Sequence, residues 1–247
     1  MSANQRPRLR PSDHPQVTLP GQAHVAHGPH DMTGMYLMHH AFRRDLRRFE
    51  SAVRRTPVGD RTTWRAMGAR WKRFSEVLHH HHEIEDASIW PVLLGHAGRL
   101  CDAEGQRTLH DMSAEHDQID PCLAACALGF AAMVSHPCGD HRNALDVHVT
   151  ATHSALAAHL RHEETAALPL LQRVMTPEEF AASEEAARRG YPHRLVPFLV
   201  PWALSEVPGE IARPFTREAG WIYSALLGAV RGPFQRREAA AFRFADC

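Results

Sequence analysis

An excess of charge of either sign is what this sequence most plainly lacks. Lys+Arg and Asp+Glu each number 28 in 247 residues, so no net field draws the chain to nucleic acid or to an anionic membrane. Cysteine is sparse. Cys101, Cys122, Cys126, Cys138 and Cys247 are odd in number and form no C-x-x-C. They read as reduced, structural cysteines in a cytoplasmic protein, with Cys122 and Cys126 spaced as packing neighbours on a helix. The N-terminal stretch has charge and proline but no apolar h-region, so no signal peptide is expected. No apolar run approaches the ~18 residues of a membrane span; Val196 to Leu204 is short and broken by prolines. No alternating β-pattern competes with the helical one.

Histidine is what the sequence does have, at 20 residues. It is the commonest metal ligand among side chains. Four are consecutive, in Leu78-His79-His80-His81-His82-Glu83-Ile84-Glu85-Asp86, followed by Ile89-Trp90-Pro91. A partial echo, His159-Leu160-Arg161-His162-Glu163-Glu164, precedes Pro169. With the prolines aligned, both segments read His-x3-Glu-x5-Pro: His81 falls on His159 and Glu85 on Glu163. Histidine and glutamate four apart share one face of a helix.

Apolar periodicity places these pairs on helices. Residues 1–30, rich in Pro, Arg, His and Gln, read as a disordered arm. A first helix runs from about Met32 to Arg55, with the stripe Met35, His39, Phe42, Leu46, Phe49. Its Arg43, Arg44, Arg47 and Arg48 read as a solvated face that could bind an acidic partner. A second helix, from about Thr62 to Leu94, carries Met67, Trp71, Phe74, Leu78, His81, Glu85, Ser88, Val92; Pro91 interrupts or ends it. A third, from about Asp102 to Val134, carries Leu109, Met112, His116, Ile119, Leu123, with a kink or restart expected at Pro121. A fourth, from about Asp140 to Val174, carries Leu156, His159, Glu163, Ala166, Leu170. Thr176-Pro177-Glu178-Glu179 then reads as a capped helix start, closing at Gly190. The proline-rich stretch beyond reads as irregular, before a last helix from about Phe215 to Val230 with Trp221, Tyr223, Leu226 and Leu227. The expected fold is all-α: an antiparallel up-down four-helix bundle over residues 31–175, with a helical extension over 176–247 packing on it.

His39 to His81 spans 42 residues and His116 to His159 spans 43. Two helical hairpins related by a pseudo-twofold would bring His39, His81, Glu85, His116, His159 and Glu163 to one level. Ionised carboxylates in an apolar seam cost several kcal/mol unless paired. A pair of cations supplies the missing charge, and four imidazoles with two bridging carboxylates suit iron or manganese. His82, Glu83, Asp86, His162 and Glu164 read as supports behind the ligands or as solvated groups, His79 and His80 as exposed, and Met35 and Met112 as core fillers. His110, His148 and His153 have no repeat partner and read as structural or surface groups.

These segments, with Met38-His39-His40-Ala41-Phe42 and Ala114-Glu115-His116-Asp117-Gln118-Ile119, resemble the hemerythrin-like (HHE cation-binding) family over roughly residues 31–174. The extension resembles that of bacterial, actinobacterial-type members. The resemblance implies two non-heme iron ions, oxo- or hydroxo-bridged, held by the six residues above. It implies binding or sensing of O2 or NO, or the handling of iron, and as an alternative catalase-like decomposition of hydrogen peroxide. Oxygen carriers of the family have two histidines four apart on the third helix; here the earlier position is Met112. Asp120, four residues after His116, offers a further ligand position, and Glu164 competes with Glu163 for the fourth-helix carboxylate. A metal-free helical interaction domain is the third reading; for it, chelation leaves the thermal melt unchanged, whereas a loaded centre should release metal below about pH 6 as imidazoles protonate.

Overall fold

The computed structural model describes residues 13–218 and 220–246, without the side chains of residues 214–227. The first hairpin is α1 (Thr33–Arg55) and α2 (Arg61–Ile84), the latter continuing through a π-turn (Glu85–Ile89) into α3 (Trp90–Arg99). The second is α4 (Ala103–Ser135) and α5 (Gly139–His162), which passes through a second π-turn (Glu163–Ala167) into α6 (Leu168–Val174). No strand occurs among the described residues. Local chemistry sets the helix starts. Asp60 and Asp102 cap α2 and α4 through their side chains, and Thr176 with Glu179 forms a capping box on α7 (Pro177–Gly190).

Both π-turns begin at a repeat glutamate and end just before the helix that holds the repeat proline. The N–H of Trp90 donates to the Glu85 carbonyl, and that of Leu168 to the Glu163 carbonyl, each five residues back. A proline ring clashes with the carbonyl four residues before it and offers that carbonyl no N–H. Widening the turn relieves both conflicts, so the helix is not ended. At Pro121 the helix α4 simply continues; Asp117, four residues earlier, is exposed, so water can reach its carbonyl. By length and composition alone α4 is apolar enough to cross a membrane, although charged residues interrupt its apolar run.

The apolar side chains fall into two clusters. One is built around Phe42, Phe49, Trp71, Phe74, Phe130 and Leu156, the other around Tyr36, Trp90, Leu93, Leu109, Met112 and Leu168. The histidine and carboxylate layer lies on the stretch of each helix between them. In the first cluster Phe198, Trp202 and Phe234 of the extension pack on one another, and Trp202 packs against Phe42.

Three further expectations need correction. Of the expected disordered arm, residues 1–12 lie outside the described residues, but residues 13–30 form a strap against α1 and α6. Leu19, Ala26 and His30 are buried. The Tyr36 hydroxyl accepts from the Ala26 N–H at 2.8 Å, and Gln172 Nε2 donates to the carbonyls of Ala26 and His30. A Cβ on Gly28 would run into Gln172, so glycine lets the strap lie close. Second, the stretch after Gly190 is largely helical: a 3-10 turn (His193–Leu195), α8 (Val196–Ala203), α9 (Gly209–Glu218) and α10 (Gly220–Ala241). Pro197 sits in the first turn of α8, where a missing N–H costs nothing. The side chains of Trp221, Tyr223, Leu226 and Leu227 lie outside the described residues.

Third, the arginine face of α1 is only partly solvated: Arg47 is exposed as expected, but Arg43 and Arg44 are buried and Arg48 is partly covered. Arg44 is buried and donates to Asp45 and to the carbonyls of Trp202 (3.0 Å) and Ser205 (2.6 Å) in the extension. Asp45 also accepts from Arg70 and, at 2.7 Å, from Trp202 Nε1, while Glu238 of α10 pairs with Arg70 and Arg48. The acidic partner of this face is therefore in the chain itself. Burial opposes the Asp45 charge, but Arg70 and Arg44 overcome it and hold its pKa below the usual value. Breaking this clamp by Asp45→Asn leaves a buried guanidinium short of charge and should cost about 3–5 kcal/mol in urea unfolding at pH 7. A pKa depressed in the folded state gives stability that is present above ~4 and lost as pH falls through the folded value. The wild type should therefore lose this margin below about pH 4, and the difference between wild type and variant should narrow there. Parallel acid profiles would contradict the assignment.

Candidate metal centre

Four buried residues, His39 of α1, His81 of α2, Glu85 and Glu163 of the two π-turns, bring ligand atoms within 4.8 Å of one another. A second group, His82, His116 and His159, does the same. The carboxylates span the two groups. Glu85 Oε1 lies 3.0 Å from His81 Nε2, and its Oε2 lies 3.4 Å from His116 Nε2. Glu163 Oε2 lies 3.1 Å from His39 Nε2 and 3.9 Å from His159 Nε2. The six residues singled out in the sequence thus meet at one level of the bundle, and His82 joins them.

Every one of these seven side chains has at least one buried polar atom without a hydrogen-bond partner. Such an orphan costs about 1–3 kcal/mol, so a cluster of them in one layer calls for something that binds lone pairs. Where no cation is present, the charge distributes unevenly. Burial, then the charge of Glu163, pushes the Glu85 carboxyl well above the usual range. For Glu163, burial acts upward but His39 and the other imidazoles overcome it, taking the pKa down to about 2. His39 is raised to about 9: burial opposes its charge, and Glu163 and Glu164 more than offset that. His81 is lowered to about 3 by burial and by the neighbouring imidazoles. His82 lies well below its ordinary value for the same two reasons, and its ring stacks on His116 at 3.9 Å with 6° between planes.

A second layer orients the imidazoles. Glu164 Oε1 contacts His39 Nδ1 at 2.9 Å, and Arg43 grips the carboxylate at both oxygens, donating to Oε1 at 2.7 Å and to Oε2 at 3.0 Å. Oε2 also accepts from the Ala23 N–H of the strap at 2.6 Å. Asp86 contacts His116 Nδ1 at 2.8 Å and accepts from Ser113. The pseudo-twofold holds here too: the residue after each repeat glutamate supports the lone histidine of the helix before the other pair. Glu115 breaks the symmetry. It holds both His159 Nδ1 (2.8 Å) and His162 Nδ1 (2.9 Å). Sequence reading passed over Glu115 because its repeat counterpart is Met38. An acidic residue beside a stripe histidine was the available signal. Carboxylates behind imidazoles fix the tautomer and raise ligand basicity. Glu164→Gln should weaken metal affinity by about 10–100-fold in competition with a chelator; unchanged affinity would remove Glu164 from this role.

The other side chains weighed in the sequence lie elsewhere. Asp120 is exposed and 3.7 Å from His79 Nδ1, Met112 is buried in the second apolar cluster, and Glu83 pairs with His79 and His80 at the surface. A cavity of about 570 Å3 between α2 and α4, lined by Trp71, Leu123 and Phe130 among others, gathers no histidine or carboxylate.

A four-helix bundle with imidazoles and carboxylates converging between two apolar cores is a cation-binding bundle, and the donor set fits metal. The family follows from the sequence match: the profile of the hemerythrin HHE cation binding domain covers residues 31–171, and the chain belongs to that family. No curated protein and no solved structure matches the chain significantly.

Proposed function

We propose that the chain holds two non-heme iron ions in this layer and binds or senses a small diatomic ligand, O2 or NO, there. The observation that supports it is the pair of carboxylates spanning two imidazole groups, with every inner side chain carrying a buried polar atom that makes no hydrogen bond. Mixed imidazole and carboxylate donors suit iron or manganese, and the imidazole-rich balance favours iron. Bound iron supplies redox activity and a Lewis-acidic position for a small oxygen or nitrogen oxide ligand.

The residues of the chain do the rest. His39 and His81 form the group with fewer nitrogens, so an ion held there would leave more of its coordination to a small ligand. Phe42 packs against His81 at 5.3 Å between ring centroids, and Tyr36 is buried nearby; together they exclude water from the layer. Glu164, Asp86 and Glu115 keep the outer imidazole nitrogens occupied and the inner ones free to bind. The peroxide reading drew on a centre one nitrogen short. With His82 in the group five imidazoles converge, and binding or sensing is favoured over turnover.

Elemental analysis of iron-replete protein, beside visible spectra in air, after dithionite and with NO, tests the reading. About two irons per chain and a band that responds to reduction and to NO are expected. Zinc alone, or no metal, would overturn it. Steady oxygen release from peroxide above that of free iron would move the reading to the enzyme.

A further inference from the structure

The inner donors are closed off on the His39 side. His39 and Glu163 have no exposed surface, and the strap and Arg43 cover Glu164. On the opposite side, between the end of α2 and the middle of α4, lies a cavity of about 420 Å3. Four carboxylates line it, Glu83, Asp86, Asp117 and Asp120, and its lining contains no lysine or arginine. Two of its walls are His82 and His116, which also belong to the inner imidazole group. His82 is 3% exposed and both its ring nitrogens lack partners. Glu83 and Asp120 are about half-exposed, so their charge faces solvent, whereas Asp86 is engaged with His116 and Ser113.

We propose that this cavity is the port through which divalent cations reach the centre, and that His82 is the first inner ligand they meet. The inference rests on the reading that the layer binds metal. Carboxylates of one sign around a concave mouth focus the field and raise the local cation concentration, which speeds association by about 10–1,000-fold in favourable cases. The buried, unpartnered imidazole at the floor gives an arriving ion a donor to exchange for its water. Glu83, Asp117 and Asp120 thus act on the rate of loading, while the seven inner residues set its extent.

Stopped-flow uptake of Co2+ by the chelator-stripped full chain tests this, with the final metal content measured after desalting. The triple variant Glu83→Gln/Asp117→Asn/Asp120→Asn is compared with Glu104→Gln/Asp140→Asn/Glu178→Gln, which removes equal charge from exposed sites elsewhere. At low salt the port variant should load about tenfold more slowly than the control. The gap should shrink to within about twofold near 0.5 M salt, where screening is nearly complete. Both should reach the wild-type stoichiometry. Equal rates in the two variants overturn the port. A lower final stoichiometry in the port variant also overturns it, because the carboxylates would then be ligands. If the wild type itself takes up no metal, the metal reading fails and the port with it.

Discussion

Chelation is expected to lower the melting temperature of the iron-loaded protein by about 10–30 °C. An ion present at ~1,000 times its dissociation constant stabilises the folded state by about 4 kcal/mol per site. Each kcal/mol corresponds to about 2–4 °C for a chain of this size. The donors come from α1, α2, α4, α5 and both π-turns. Loading therefore ties all four bundle helices together at one level, and removal returns a set of buried orphan atoms to that level. Differential scanning calorimetry with and without a strong chelator measures the shift. A melt that does not move would favour the metal-free interaction domain.

The second large effect is expected at His82. Replacing it with alanine should reduce bound metal from about two ions per chain towards one, because the His116/His159 group loses one of three imidazoles. The metal-free variant should melt close to the metal-free wild type, since the substitution removes two unpartnered buried nitrogens rather than a hydrogen bond. His79→Ala is the control: it stands three residues away and is about half-exposed at the surface. It should keep full stoichiometry. Two ions retained in His82→Ala, with an unchanged spectrum, would make His82 a bystander.

The difference between these two histidines marks the limit of periodicity. His81 lies on the stripe with Leu78 and Glu85, and its place at the core follows from a 3.6-residue period alone. His82 points about 100° away, a direction that the stripe assigns to a flank, and its repeat counterpart is Leu160. What makes that flank an interior is the placement of neighbours. His81 stands 5.6 Å from the His39 ring on α1, while His82 stacks on His116 of α4. Consecutive residues serve different groups because α2 is packed on both sides at this level. Glu115 is a parallel case, turned towards α5 by packing rather than by its own helical phase.

The sequence by itself determined the helices of the bundle and of α7, the capping box at Thr176, and the convergence of His39, His81, Glu85, His116, His159 and Glu163. Each of those follows from local hydrogen bonding or from the period of one helix, repeated in two hairpins. Tertiary structure alone decided four other matters. It widened the helix turns at Glu85 and Glu163, where the repeat prolines could equally have ended the helices. It turned His82 inward and set Glu115 behind His159. It buried Arg43 against Glu164, and Arg44 against Asp45 and the extension. It laid residues 13–30 over Glu164, because the surface that receives this strap comes from α1 and α6, far apart in the chain and absent until the bundle closes.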